Sequence, residues 1–200
     1  MKLNIITVLF KKNFLINQFN SFPNKKNINW ILCKTKDWGE LDIGIFKNKN
    51  INIKISEIDC EDTLENFILK INNGLSIVED GYFYILDDDN CLHENMYNLY
   101  EKYLELGYEM MVGKQIRKNG DVYLNPNYPK QDNIDMGNVI CTTNILKKVN
   151  YFNDIDKNFK STPDGVISYD GQFWEKCYNQ LNKDKIALIN ETMFFYNGLR

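Results

Sequence analysis

Two hundred residues, 44% hydrophobic and 26% charged, suit one soluble domain (residues 1–200) large enough to bury a core without crosslinks. A net charge of −3 argues against the basic surface that general nucleic-acid binding needs, so no nucleic-acid partner is expected. Five scattered cysteines show no zinc-ligand spacing, which points to reduced thiols and a cytoplasmic setting; the apolar start Leu3 to Phe10, cut off by Lys11 and Lys12, is too short to span a membrane and carries no small-residue cleavage site.

In chain order, Leu3 to Phe10 reads as a first buried strand, and Lys11 to Phe22 as a helix with Phe14, Leu15, Phe19 and Phe22 near one face, ended by Pro23. Strands are expected at Ile28 to Cys33 and Ile51 to Ile55. Asp62 to Asn73 is an amphipathic helix through Leu64, Phe67, Ile68 and Ile71; Asp62 with Glu65 has capping-box spacing, and Gly74 is placed to end it. Asn95 to Leu106 is a further helix, closed by Gly107. Met110 to Gln115 and Val122 to Leu124 form a hairpin around Asn119-Gly120, and the two-proline stretch Asn125 to Asp132 is irregular. A short strand (Val139 to Thr142) and a short helix (Asn144 to Val149) follow. The polar run Asn153 to Ser168 has the length and composition of a lid, Gly171 to Leu181 is a helix, and Ile186 to Ile189 and Thr192 to Tyr196 are closing strands. Strands alternating with helices predict an α/β domain with a mixed, mainly parallel sheet flanked by helices.

One stretch dominates the chemistry. Tyr82 to Leu86 reads as a strand buried on both faces, and it runs directly into Asp87-Asp88-Asp89-Asn90. Like charges at that density must leave the core, and the crevice outside the carboxyl ends of strands is where open α/β sheets bind ligands. A divalent cation is the simplest partner that makes such proximity favourable. A calcium loop of the EF-hand kind does not fit, because its sixth position, a required glycine, is Leu92.

Together these residues resemble a glycosyltransferase of the GT-A fold. Asp87-Asp88-Asp89-Asn90 resembles the family's DxD motif. Asn72-Asn73-Gly74-Leu75 followed by Gly81-Tyr82 resembles its run leading into the acidic strand. Ile134-Asp135-Met136-Gly137 is similar to a segment lining the donor-sugar pocket, and Tyr169-Asp170-Gly171-Gln172-Phe173 stands where inverting members carry the catalytic carboxylate. The likeness is greatest to the small glycosyltransferase domains of chloroviruses, which share an Asp-Asp-Asp-Asn-x-x-His run ending here at His93, and to the inverting glucuronyltransferases. The chain departs from the family at Ile71, which replaces an arginine, leaving Lys70 as the nearby cation. It departs again after the second strand, where only Asp37 stands in for the acids that read uracil.

The resemblance implies a metal-dependent inverting transferase, using a UDP-like nucleotide sugar as donor and a glycan or small-molecule hydroxyl as acceptor, in the host cytoplasm if viral. A Mn²⁺ or Mg²⁺ ion bridging the diphosphate supplies a Lewis acid for the leaving group. Asp89 is then the main metal ligand, Asp87 a direct or water-mediated second, and Asp88 the partner of the ribose hydroxyls. Thr7, Asp37, Lys70 and Asn72 complete the donor-binding candidates. Asp170 reads either as the general base or as a helix N-cap. His93 reads as a phosphate contact or a packing residue, Asp135 as a holder of sugar hydroxyls or a turn residue, and Asn72 as a nucleotide contact or a helix cap. Two other functions remain compatible: a sugar-1-phosphate nucleotidyltransferase, although Thr7 to Asn13 lacks the expected glycine-rich loop, and a non-catalytic metal- or glycan-binding module.

Overall fold

The computed structural model describes residues 1–10, 14–63, 66–117, 119–124, 128–129, 133–156 and 169–196. The strands are β1 (Lys2–Val8), β2 (Ile28–Thr35), β3 (Asn52–Ile58), β4 (Gly81–Ile85), β5 (Cys91–Leu92), β6 (Met110–Arg117), β7 (Val122–Leu124), β8 (Val139–Thr142) and β9 (Ile186–Tyr196). The helices are α1 (Leu15–Ser21), α2 (Phe67–Ser76), α3 (Met96–Glu105), α4 (Ile145–Lys148) and α5 (Tyr169–Gln180). Among the described residues all nine strands join one sheet in the order β3-β2-β1-β4-β8-β6-β9-β5, with β7 added to β6. The ladders set β1, β2, β3, β4, β6 and β9 in one direction and β5, β7 and β8 in the other. The expected mixed, mainly parallel α/β sheet is what forms.

Period-two alternation divides the core between the two faces of this sheet. Leu3, Ile5, Trp30, Leu32, Tyr82, Tyr84 and Leu86 pack on one side with α1 and α3; Ile6, Val8, Ile31, Cys33, Phe83 and Ile85 pack on the other with α2, α4 and α5. Both faces of β4 are therefore covered, as its unbroken apolar run requires. Among the described residues no helix is long and apolar enough to cross a membrane. No disulfide forms among the described residues, and Cys33, Cys141 and Cys177 are buried.

Three local expectations are corrected. Gly74 does not end α2 but lies inside it, because a Cβ there would sit 2.2 Å from Cys33 Sγ; only glycine lets the helix approach β2 this closely. Asp62 does not start the helix as a cap. Its carboxylate accepts hydrogen bonds from Trp38 Nε1 and Lys70 Nζ, both at 2.6 Å, and Glu65 lies outside the described residues. The two closing strands are a single strand, β9, whose pairing with β6 shifts register between Val112 and Lys114, so the residues between Leu188 and Thr192 bulge out. Most of the proposed lid, residues 157–168, lies outside the described residues, as do the first residues of the first predicted helix and most of 125–132. The described start of the lid stretch is anchored: Asn72 Nδ2 donates to Asn153 Oδ1 at 2.9 Å, and Gln172 bonds the main chain of Asp156 at 2.9 and 3.1 Å.

Candidate functional site

Parallel pairing places the carboxyl ends of β1, β2 and β4 on one edge of the sheet. Leu86 extends β4 by donating its N–H to Ile6 O at 2.9 Å, and the chain then turns through the acids, closed by Asn90 N–H to Asp87 O at 3.1 Å. Since β8 runs antiparallel to β4, the segment before it returns to the same edge and brings Asp135 there. Here Asp135 N–H donates to Asn138 Oδ1 at 2.9 Å, and Asn138 Nδ2 donates to Gly113 O at 2.8 Å, tying the turn to β6. Gly137 lies against the Phe194 ring, whose Cζ would be 2.7 Å from an added Cβ, so a larger residue would push this turn outward. Tyr84, on β4, fastens it from the other side, with its hydroxyl donating to Gly137 O at 2.8 Å.

The helix bearing Asp170 is set by aromatic packing. Trp174 stacks on Phe83 of β4 at 5.5 Å between ring centroids, and Phe173 stacks on Phe152 at 3.9 Å. This directs the first turn of α5, and Asp170 with it, toward the acid turn. The electrostatics record the convergence. Burial raises the Asp87 carboxyl well above the ordinary aspartate value, and repulsion from Asp135, Asp89, Asp170 and Asp88 adds to it. Asp135 is also raised, by burial first; N–H groups of Met136 and Gly137 and the nearby Gln115 carboxamide oppose this, and Asp89 reinforces it. The neighbouring Tyr84 phenol is pushed up by burial and then by Asp135 and Asp87. Asp87, Asp88, Asp89, Asp135 and Asp170 therefore share one edge.

Among the described residues, no three His, Cys, Asp or Glu side chains form a ready-made metal-ligand set. The acid edge presents oxygen donors under mutual repulsion, the chemistry of a hard divalent cation held by one or two carboxylates and completed by phosphate oxygens. Oxygen donors of this kind are the class that Mn²⁺ and Mg²⁺ take.

The other candidates have various placements. Asp88 is 4% exposed and accepts from Phe10 N–H at 2.6 Å, joining the acid turn to the chain beyond β1. Thr7 is fully buried, accepting from Trp30 Nε1 and bonded to Gln18 Oε1, each at 3.1 Å. Lys70 is buried and paired with Asp62, its ammonium lying 3.6 Å from the Phe10 ring centroid and 3.2 Å from Leu9 O. Burial works against ionisation of Asp62, but hydrogen bonds from Lys70 and Trp38 outweigh it and hold that carboxyl below its ordinary value. Asn72 accepts from Phe152 N–H at 3.0 Å and so braces the loop after α4 rather than the acid turn. Asp37 is exposed in a 3₁₀ turn (Lys36–Trp38) just after β2, on the acid-bearing edge. His93 receives Asn95 N–H at Nδ1, 3.3 Å away, and its ring packs on Phe195. A cavity bounded by Leu75, Asp80, Thr143, Lys147 and Tyr151 lies at the opposite edge, beside the start of β4.

Two glutamines escaped the sequence reading. Gln18 is fully buried beneath the acid turn, donating from Nε2 to Asp87 O at 2.6 Å and Asn90 O at 3.0 Å. Its signal was a polar residue on the apolar stripe of α1, three after Leu15 and four before Phe22. Gln115, also fully buried, sits beside Asp135, and among the described residues its carboxamide has no hydrogen-bond partner of good geometry. An amide among the apolar residues of β6 was the corresponding sign.

No protein-family model and no curated protein matches the chain. Solved structures do. Residues 1–349 of S. aureus TarS, a glycosyltransferase, align over 98% of this chain and 60% of that one, with 18% identity and a TM-score of 0.68. The same protein in complex with UDP aligns at 16% identity and a TM-score of 0.68, and in complex with UDP-GlcNAc at 14% and 0.64. The chain spans 36% of the longer TarS structure. At these identities the likeness establishes a shared fold and nothing finer.

Proposed function

We propose that this chain is a metal-dependent inverting glycosyltransferase that moves a sugar from a nucleoside-diphosphate donor, a UDP-sugar by preference, to an acceptor hydroxyl. The observation that carries the reading is the gathering of Asp87, Asp88, Asp89, Asp135 and Asp170 at the carboxyl edge of the sheet. Support comes from the fold, which is shared with a protein solved with UDP and with UDP-GlcNAc.

Asp89 and Asp87 are the residues to hold Mn²⁺ or Mg²⁺. When bound, the ion supplies Lewis-acid stabilisation for the departing diphosphate. Asp170 accepts the acceptor's proton as the oxygen attacks the anomeric carbon. The new carbon–oxygen bond forms on one face while the bond to the β-phosphate oxygen breaks on the other, and the nucleoside diphosphate leaves with that electron pair. Asp135, held by its turn, accepts from hydroxyls of the transferred sugar. Asp88 offers a carboxylate to the ribose while also receiving Phe10 N–H. With Nδ1 of His93 accepting from Asn95 N–H, Nε2 is the ring nitrogen left to donate to phosphate.

Titration calorimetry with UDP tests this reading. Binding should require Mn²⁺ or Mg²⁺ and should be largely lost in Asp89→Asn with the fold intact. Equal UDP affinity with and without metal would refute the metal site, and indifference to UDP alongside calcium binding would point to a non-catalytic module.

A further inference from the structure

We infer that Gln18 is a positioning residue for the acid turn, and that Thr7 sets the direction in which Gln18 acts. The directions of the hydrogen bonds fix the roles. Trp30 Nε1 can only donate, and at 3.1 Å it donates to Thr7 Oγ1. The single Thr7 proton is then free to go to Gln18 Oε1, 3.1 Å away. That settles the orientation of the carboxamide and sends both Nε2 protons to main-chain oxygens, Asp87 O at 2.6 Å and Asn90 O at 3.0 Å. Trp30, Thr7 and Gln18 are all fully buried, so water offers no substitute for any of these bonds.

Helix α1 holds the far end of the turn as well. Ser21 Oγ donates to Gln18 O at 2.6 Å and accepts from Leu92 N–H at 3.0 Å. The main chain is thus gripped at Asp87, Asn90 and Leu92 by side chains of one helix, while Phe10 N–H grips Asp88. The brace works against a definite force. Asp135, Asp89, Asp170 and Asp88 repel Asp87, and Asp89 repels Asp135, which would splay an unbraced turn. Because Gln18 bonds carbonyls, it opposes that repulsion without engaging a carboxylate. A turn held in this way is preorganised for a cation, and groups behind the ligands that orient them characteristically alter metal affinity. Thr7 accordingly acts from behind the site. That the turn binds a metal–nucleotide pair rests on the reading above; the brace itself does not.

The test compares Thr7→Val, which keeps the shape and removes the hydroxyl, with Thr7→Ser, which keeps the hydroxyl. Gln18→Glu is added because it removes both donors at nearly constant size. Hydrogen exchange at the Asn90 and Leu92 amides is measured without ligand, and UDP affinity with Mn²⁺ by calorimetry. Thr7→Val and Gln18→Glu should exchange faster at these amides and bind UDP–Mn²⁺ about tenfold more weakly, with Thr7→Ser matching the parent in both. If Gln18→Glu does not fold, the valine–serine pair still decides. Exchange in Thr7→Val equal to that in Thr7→Ser would overturn the inference. If the parent itself ignores UDP and Mn²⁺, the nucleotide-sugar reading fails, and the exchange comparison still judges the brace.

Discussion

Asp87 should cost the ligand-free protein stability in return for a binding site, and Asp87→Asn measures that cost. Burial and the carboxylates of Asp135, Asp89, Asp170 and Asp88 raise its pKa in the folded state above the ordinary 3.8. A carboxyl raised on folding favours the native state below its unfolded value and loses that contribution as pH rises through the folded value. Asparagine matches the shape and removes the charge. The hydrogen bond at risk is weak, with Asn90 Nδ2 at 3.4 Å from Asp87 Oδ2. Relief of such repulsion falls in the range of about 0.5–2 kcal/mol reached by favourable charge changes. For a chain of this size, roughly 1 kcal/mol corresponds to ~2–4 °C in Tm. Thermal melts in EDTA should therefore show Asp87→Asn above the parent near neutral pH, with the gain shrinking as pH falls. Saturating UDP and Mn²⁺ should reverse the order, since ligand at about 100 times Kd stabilises the parent by ~2.7 kcal/mol and the variant by much less. A variant less stable than the parent by the same amount at every pH would refute the reasoning.

Asp170→Asn should melt no lower than the parent and keep donor affinity while turnover falls by the ~10²–10⁴-fold typical of losing a general base; steady-state kinetics beside calorimetry checks both halves. Gly74→Ala should destabilise by about 1–3 kcal/mol through overpacking against Cys33, read by chemical denaturation, with no change in UDP affinity per folded molecule. Asp62 has the opposite pH dependence from Asp87. Its lowered pKa contributes stability above the ordinary 3.8 that is lost as pH falls through the folded value, so melts of Asp62→Asn should converge on the parent in acid.

The fold was legible where the signal was local and repeated. The apolar run Tyr82 to Leu86 announced a strand covered on both faces, and Asn119-Gly120 marked a turn that Gly120 makes at φ 91°. Element ends set by tertiary contact were not legible. Gly74 carries the same sequence signal whether it ends a helix or lets one approach a sheet, and only Cys33 on β2 distinguishes the two. Likewise, nothing local joins the two halves of β9; the β6 ladder does. At the site, the acids read clearly because three successive carboxylates at a strand end are costly without a partner; the sequence did not show that Asp88 and Asp89 are nonetheless buried. Their convergence with Asp135 and Asp170, about 50 and 80 residues further on, depends on the antiparallel return of β8 and the aromatic seat of α5. Thr7 shows the limit most sharply: its position at the end of a parallel strand suggests ligand contact, while its hydroxyl is spent on Trp30 and Gln18.

Release of nucleoside diphosphate from nucleotide sugars tests the central claim most directly. The purified chain is incubated with a panel of UDP-sugars, UDP-GlcNAc included, with Mn²⁺ or with EDTA, and free UDP is measured over time. The account predicts slow release from at least one donor with water as acceptor, dependent on Mn²⁺ and absent in Asp89→Asn. No release from any donor, together with no metal-dependent binding of UDP, would contradict it.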